Sequence, residues 1–227
     1  MSLRTDIGDM AASIFNAPPH ARKAGLFALA VFLPVWLGLS IAHLFATRGY
    51  IASPQWMMST DGGYAELFQY ALMILSASAF FFLFITRREL LFLLIACGLI
   101  YLFTDDAMML HENAGAAYGA AGLSSFLPKV SAAQFGEFVY LFVVGAAILV
   151  TLYVAAQNAA AYARPAGFFV GVLILCLGLC SAVLDGLKEA VEISPFGYLE
   201  DSGEVFFAVL IAAYTVFFVA QRKSFPN

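Results

Sequence analysis

The chain has 227 residues, 63% of them hydrophobic and only 11% charged, with a net charge of −4 and a mean hydropathy of +0.89. Soluble domains carry about 25% charged residues, so a water-soluble globular domain, a disordered chain and a solenoid of soluble repeats are excluded. What remains is an integral membrane protein of one domain, in which chemistry must be sought among the few charges left.

Residues 1–17 place Leu3, Ile7, Met10 and Ile14 on one helical face, which predicts a short interfacial helix ended by Pro18-Pro19. Polar Arg4, Asp6 and Asp9 precede a long first apolar run with no small-residue cleavage site behind it, so no cleavable signal peptide is expected. A bilayer core of about 30 Å needs about 20 apolar residues in a helix. Stretches free of Asp, Glu, Lys and Arg run over 24–47, 67–86, 90–104, 138–163, 165–184 and 205–221. They predict six transmembrane helices at 24–46, 64–86, 90–112, 134–157, 166–190 and 200–221, the third continuing past Asp105 and Asp106. The strict alternation of a barrel strand is absent, so the fold class is all-α. The expected organisation is a cytoplasmic interfacial segment (1–23), a six-helix transmembrane domain (24–221) and a cytoplasmic tail (222–227).

Local punctuation supports these limits. Ser131 and Gln134 form a capping-box pattern at the start of helix 4, Gly115 reads as a stop after helix 3, and Ser194-Pro195 reads as the approach to helix 6. Cys97, Cys176 and Cys180 lie inside apolar runs and read as small core residues. Trp36 reads as membrane packing and Trp56 as an interface anchor. His43, sharing a face with Ser40 and Thr47, reads as a hydrogen-bonding helix contact.

The charges are segregated. With six spans, Arg4, Arg22, Lys23, Arg87, Arg88, Arg164, Arg222 and Lys223 share one side, and only Arg48, Lys129 and Lys188 lie on the other. The positive-inside rule makes the first side cytoplasmic, with both termini inside. Asp6, Asp9 and Glu89 are the only acids on that side. The other twelve lie towards the outer ends of helices 2 to 6.

Helical period sorts those acids by face. Asp105 and Glu112 share a face of helix 3, with Tyr101 and Met108, while Asp106 points away from His111. Asp185, Glu189 and Glu192 share a face of helix 5, with Lys188 at its edge. Glu200 and Glu204 share a face of helix 6. Glu66 stacks with Gln69, Tyr70 and Met73, and Glu137 with Gln134 and Tyr140. Asp105 is the deepest, roughly 6 Å below the outer boundary at about 1.5 Å per residue, so the expected site is shallow and open to the outside. Acids on helices 3 and 5 would sit near the negative ends of their helix dipoles.

So many carboxylates with so few bases need shared protons, local cations or a bound metal. The expected ligand set is Glu66, Asp105, His111, Glu112, Glu137, Asp185, Glu189, Glu200 and Glu204. Carboxylates with one imidazole suit Fe, Mn or Zn, and an all-oxygen subset suits Ca. The Glu-x-x-His spacing of ferritin-like di-metal bundles is absent. Glu112 or Asp185 is the candidate general base. Asp61, Glu192 and Asp201 read as solvated or capping groups.

Asp105-Asp106-Ala107-Met108-Met109-Leu110-His111-Glu112, together with Glu200-Asp201-Ser202-Gly203-Glu204, resembles the D-[DE]-x4-H-E and E-[DE]-x2-E motifs of a widespread, functionally unassigned group of bacterial polytopic membrane proteins. The resemblance runs from helix 2 onward and implies a shared constellation without an activity. Three classes stay open: a metal-dependent enzyme acting on a lipid or lipophilic substrate, an accessory subunit of a membrane complex with a structural metal, and a cation or proton-coupled transporter. Near-continuous apolar residues in the inner halves of helices 2 to 6 disfavour transport. The expected partners are the lipid bilayer and other membrane subunits, with no nucleic acid.

Overall fold

The computed structural model describes residues 8, 14–125, 130–191 and 195–225; for 182–183, 185–191 and 195–196 it describes the backbone alone. The expected interfacial helix falls almost wholly outside the described residues. Seven helices follow: α1 (Pro19–Thr47), α2 (Tyr64–Arg87), α3 (Leu90–Ala107), α4 (Leu110–Ala120), α5 (Ala132–Asn158), α6 (Arg164–Val191) and α7 (Pro195–Gln221). All but α4 are long and apolar enough to span a membrane, and there is no strand among the described residues. The all-α, six-span class is therefore as the sequence predicts.

Helix limits follow local chemistry. Pro19 occupies the first turn of α1, where its missing N–H costs nothing. Pro195 likewise opens α7, five residues earlier than expected. Ser131 caps α5, its side chain accepting from the Gln134 N–H at 3.2 Å.

The expected third helix, 90–112, is instead broken. Met108 ends α3, and Met109 adopts a left-handed conformation with φ 51° before α4 begins. Asn113 holds the corner, its backbone N–H donating to the Met109 carbonyl at 2.9 Å and its side-chain amide to Met108 at 3.2 Å. Gly115, expected as a stop, lies inside α4. A methyl placed on it would stand 2.4 Å from Glu137 Cγ and 2.5 Å from the Ala133 carbonyl. Gly136 is equally tight against Tyr118 Cβ at 2.4 Å. The two glycines let the α4 and α5 backbones close into a hairpin, the small-residue approach that replaces the hydrophobic effect between membrane helices.

α7 is the central and most covered spanning helix, packed by α1, α2 and α6, while α5 is the least covered. α3 packs on α2 and meets α5 and α6 only sparsely, so a cleft remains among these three. The basic end is filled by rings: Phe80, Phe92 and Phe218 meet pairwise at 5.7–6.3 Å, and Tyr162 stacks on Phe225 at 4.8 Å. There Arg87 donates to the Arg222 carbonyl at 2.7 Å, and the two guanidinium groups lie over Phe225 and Phe82.

At the acidic end His43, expected to hydrogen-bond a neighbouring helix, bonds instead to the α1–α2 connection and meets α7 through its ring. Its Nδ1 accepts the Met58 N–H at 2.9 Å and its ring stacks on Tyr198 at 4.9 Å. Trp36 donates to the Ser202 carbonyl at 3.0 Å, and Trp56 packs on Tyr64.

Candidate functional site

The break at Met108–Met109 builds the centre of the site. In a continuous helix Asp105 and His111, six residues apart, would point about 120° from each other. The corner folds α4 back, so His111 Nδ1 donates to Asp105 Oδ2 at 3.1 Å. The bond fixes the tautomer that leaves Nε2 unprotonated when the ring is neutral. This same bond holds the His111 imidazole above its usual protonation range, against the opposing pull of burial; Asp105, Asp106 and Glu112 charges add to it. The break also reverses the dipole expectation for Glu112. It sits in the first turn of α4, at a positive helix end, and not at the negative end of a long helix 3.

Asp105 is the buried member, 6% exposed. One carboxylate oxygen takes His111, and Oδ1 is buried without a hydrogen-bond partner. Asp106, expected to point away, belongs to the site. Gln69 of α2 donates to its Oδ2 at 3.2 Å, and it lies within electrostatic reach of Glu66, His111 and Glu112. Glu66 accepts from Tyr70 and from the Gly62 backbone. Tyr101 of α3 and Tyr140 of α5 share a hydroxyl–hydroxyl hydrogen bond across the cleft.

A cavity of about 400 Å³ joins these groups. Its acidic end holds Asp105, Asp106, His111 and Glu112 from the broken segment and Glu200 and Glu204 from α7, with Asp61 and Asp201 beside them. Ser181 of α6 is hydrogen-bonded to Glu204. Towards the bundle centre the walls become apolar: Leu102, Leu149, Ile174 and Leu177 line the cleft among α3, α5 and α6. Phe142 and Leu179 line it as well and are largely exposed on the outside of the bundle, where lipid would lie.

The structure thus gathers five of the nine expected ligands on one cavity: Asp105, His111, Glu112, Glu200 and Glu204. Glu66 stands behind Tyr70 and is not among the lining residues. Glu137 packs over Gly115 within the α4–α5 hairpin and does not line the cavity either. Asp185 and Glu189 lie on the α6 backbone, their side chains outside the described residues. Among the described residues no three His, Cys, Asp or Glu side chains stand together as a metal-holding group. Asp61 and Asp201, read from sequence as solvated or capping groups, line the cavity. Asp106 was left out of the expected ligand set and the Tyr101–Tyr140 bridge was not foreseen; the aspartate pair five and six residues before His111 is the signal that points to the first.

Comparison with protein-family models, with curated proteins and with solved structures finds no match for this chain.

Proposed function

We propose that the protein is an enzyme of the bacterial inner membrane that draws a lipid or lipophilic substrate into the cavity and acts on its polar end with the Asp105–His111 pair as acid–base unit. The single observation that carries this reading is the continuity of the cavity, which runs from the His111–Asp105 hydrogen bond into an apolar cleft flanked by lipid-exposed residues. A carboxylate on one ring nitrogen leaves the other to take or give a proton, the arrangement general acid–base catalysis uses. Glu112 and Asp106 flank His111 as further proton carriers. The eight-to-three distribution of bases in the sequence supports an outward-facing acidic end.

A divalent ion fits the same chemistry, because a metal-bound histidine commonly donates its other N–H to a carboxylate. His111 Nε2, Glu112 and Asp106 are the ligands we assign to it, with side-chain movement needed to bring them onto one ion. Transport fits less well. The Ser76 and Thr215 hydroxyls donate to their own helix carbonyls, and packed rings fill the basic end.

Native mass spectrometry of protein released from nanodiscs of bacterial lipid tests the reading. We expect a lipophilic adduct on the wild type, its loss in Leu149→Trp, which fills the cleft, and its accumulation in His111→Gln. An adduct indifferent to both substitutions contradicts it. Elemental analysis of the same sample decides whether Fe, Mn or Zn accompanies the protein.

A further inference from the structure

The charge of the cavity bears on which lipophilic molecules it accepts. Its acidic end is walled by aspartates and glutamates from three directions: the α1–α2 connection (Asp61), the α3–α4 corner and the start of α7. No Lys or Arg lines it among the described residues, and His111, the one base there, is already committed to Asp105. An anionic headgroup entering this end meets repulsion at low dielectric, which makes it far costlier than in water. A cation meets attraction on the same terms.

Asp105 Oδ1 adds an independent demand. It is a buried carboxylate oxygen without a donor, on a side chain only 6% exposed that lines the cavity. Leaving such an atom unmet is costly, and a ligand N–H in the cavity meets it with a charge-assisted hydrogen bond. The rings of Tyr70 and Tyr101, also in the lining, favour a cation near their faces. Below them the walls are aliphatic, and a volume of about 400 Å³ lies in the range of small-molecule sites, roughly 300–1,000 Å³.

We infer that the cavity takes an amphiphile with a protonated amine head and a hydrocarbon tail, the amine donating to Asp105 Oδ1 between Asp106 and Glu204 while the tail lies along Leu102, Leu149 and Ile174. This rests on the proposed uptake of a lipophilic substrate and names its class. An amine that still carries N–H is preferred to a quaternary ammonium of the same charge, because only the former satisfies Oδ1.

Isothermal titration of the purified protein in a neutral maltoside detergent at pH 7 tests it, with four probes of one chain length: dodecylamine, dodecyltrimethylammonium, dodecanol and dodecanoate. Leu149→Trp protein supplies the baseline for partition into micelles. Saturable dodecylamine binding is expected, at least tenfold tighter than dodecanol or dodecanoate and tighter than the quaternary probe. Asp105→Asn weakens it about tenfold or more, the scale of one charge-assisted hydrogen bond. Asp106→Asn weakens it in the same direction and carries the comparison if Asp105→Asn fails to fold. Dodecanol or dodecanoate binding as tightly as the amine overturns the amine head and leaves the lipophilic cavity standing. Dodecanoate binding that appears only with added Zn²⁺ or Mn²⁺ also overturns it, in favour of a metal at the acidic end. If no probe separates wild type from Leu149→Trp, the amine head and the lipophilic cavity fall together.

Discussion

The two ends of the bundle are built on opposite principles. At the basic end, aromatic rings from α2, α3 and α7 interlock and the arginines are occupied by backbone carbonyls and ring faces. At the acidic end, α3 breaks, α5 meets α3 only sparsely, and polar side chains surround a cavity. One helix, α7, runs through both, with Phe218 in the packed end and Glu204 in the open one. Stability and chemistry are therefore separable by position along the same helices, and substitutions at the two ends should have different consequences.

The largest effect is expected at the packed end. Phe218 is 2% exposed and touches Phe80 and Phe92. Phe218→Ala should cost about 3–5 kcal/mol in reversible denaturation while leaving ligand binding at the acidic end intact in the folded fraction. Leu149→Ala, in the half-open cleft, should cost much less and weaken binding instead. Equal costs at the two sites would dissolve the contrast.

Next comes the α4–α5 hairpin, which supports the acidic end from behind. Gly115→Leu or Gly136→Leu inserts side chains where Glu137 and Tyr118 already stand. About 1–3 kcal/mol of destabilisation is expected from overpacking, measured by thermal unfolding. A neutral result at both positions would mean that the hairpin is not closed as described.

The broken helix marks the limit of what the sequence discloses. Six spans are legible because long charge-free stretches are hard to confuse with anything else, and the separation of bases from acids survives into the structure, with Arg87 and Arg222 together at one end and Asp105, Asp106, Glu112 and Glu204 on one cavity at the other. The break is not legible. Met108 and Met109 are good helix formers, and no Gly or Pro marks the corner. An unbroken helical wheel therefore separates Asp105 from His111 and turns Asp106 away. It also groups Glu137 with the ligands, when the close approach allowed by Gly115 draws that side chain into the hairpin. A left-handed methionine is the type of local strain that persists where surrounding contacts over-determine it, and it falls at the corner beside the cavity.

That strain gives a smaller expectation. Met109→Gly removes the penalty of a left-handed non-glycine residue, roughly 1 kcal/mol, partly offset by the greater freedom of glycine in the unfolded chain. A modest gain in melting temperature is expected. A loss would mean that the Met109 side chain has a packing role exceeding the backbone strain.

The smallest effect is in pH dependence. Asp105 raises the folded-state value of His111 above the ordinary 6.5. The sign follows directly: the stabilisation is fully present below about pH 6.5 and is lost as pH rises through the raised folded-state value. Melting temperature followed from pH 5.5 to 8.5 should therefore fall slightly towards the alkaline side in the wild type, and that part of the slope should vanish in His111→Gln. A slope of the opposite sign, or one unchanged by the substitution, would show that other groups control it.

The most direct test of the central claim, that a broken helix seats His111 on Asp105 at the head of the cavity, is ¹⁵N NMR of the His111 side chain in wild type and Asp105→Asn across a pH titration. The account predicts that neutral His111 is protonated at Nδ1 with Nε2 bare, that its midpoint lies above 6.5, and that Asp105→Asn lowers the midpoint. A neutral ring protonated at Nε2, with a midpoint indifferent to Asp105→Asn, would contradict it.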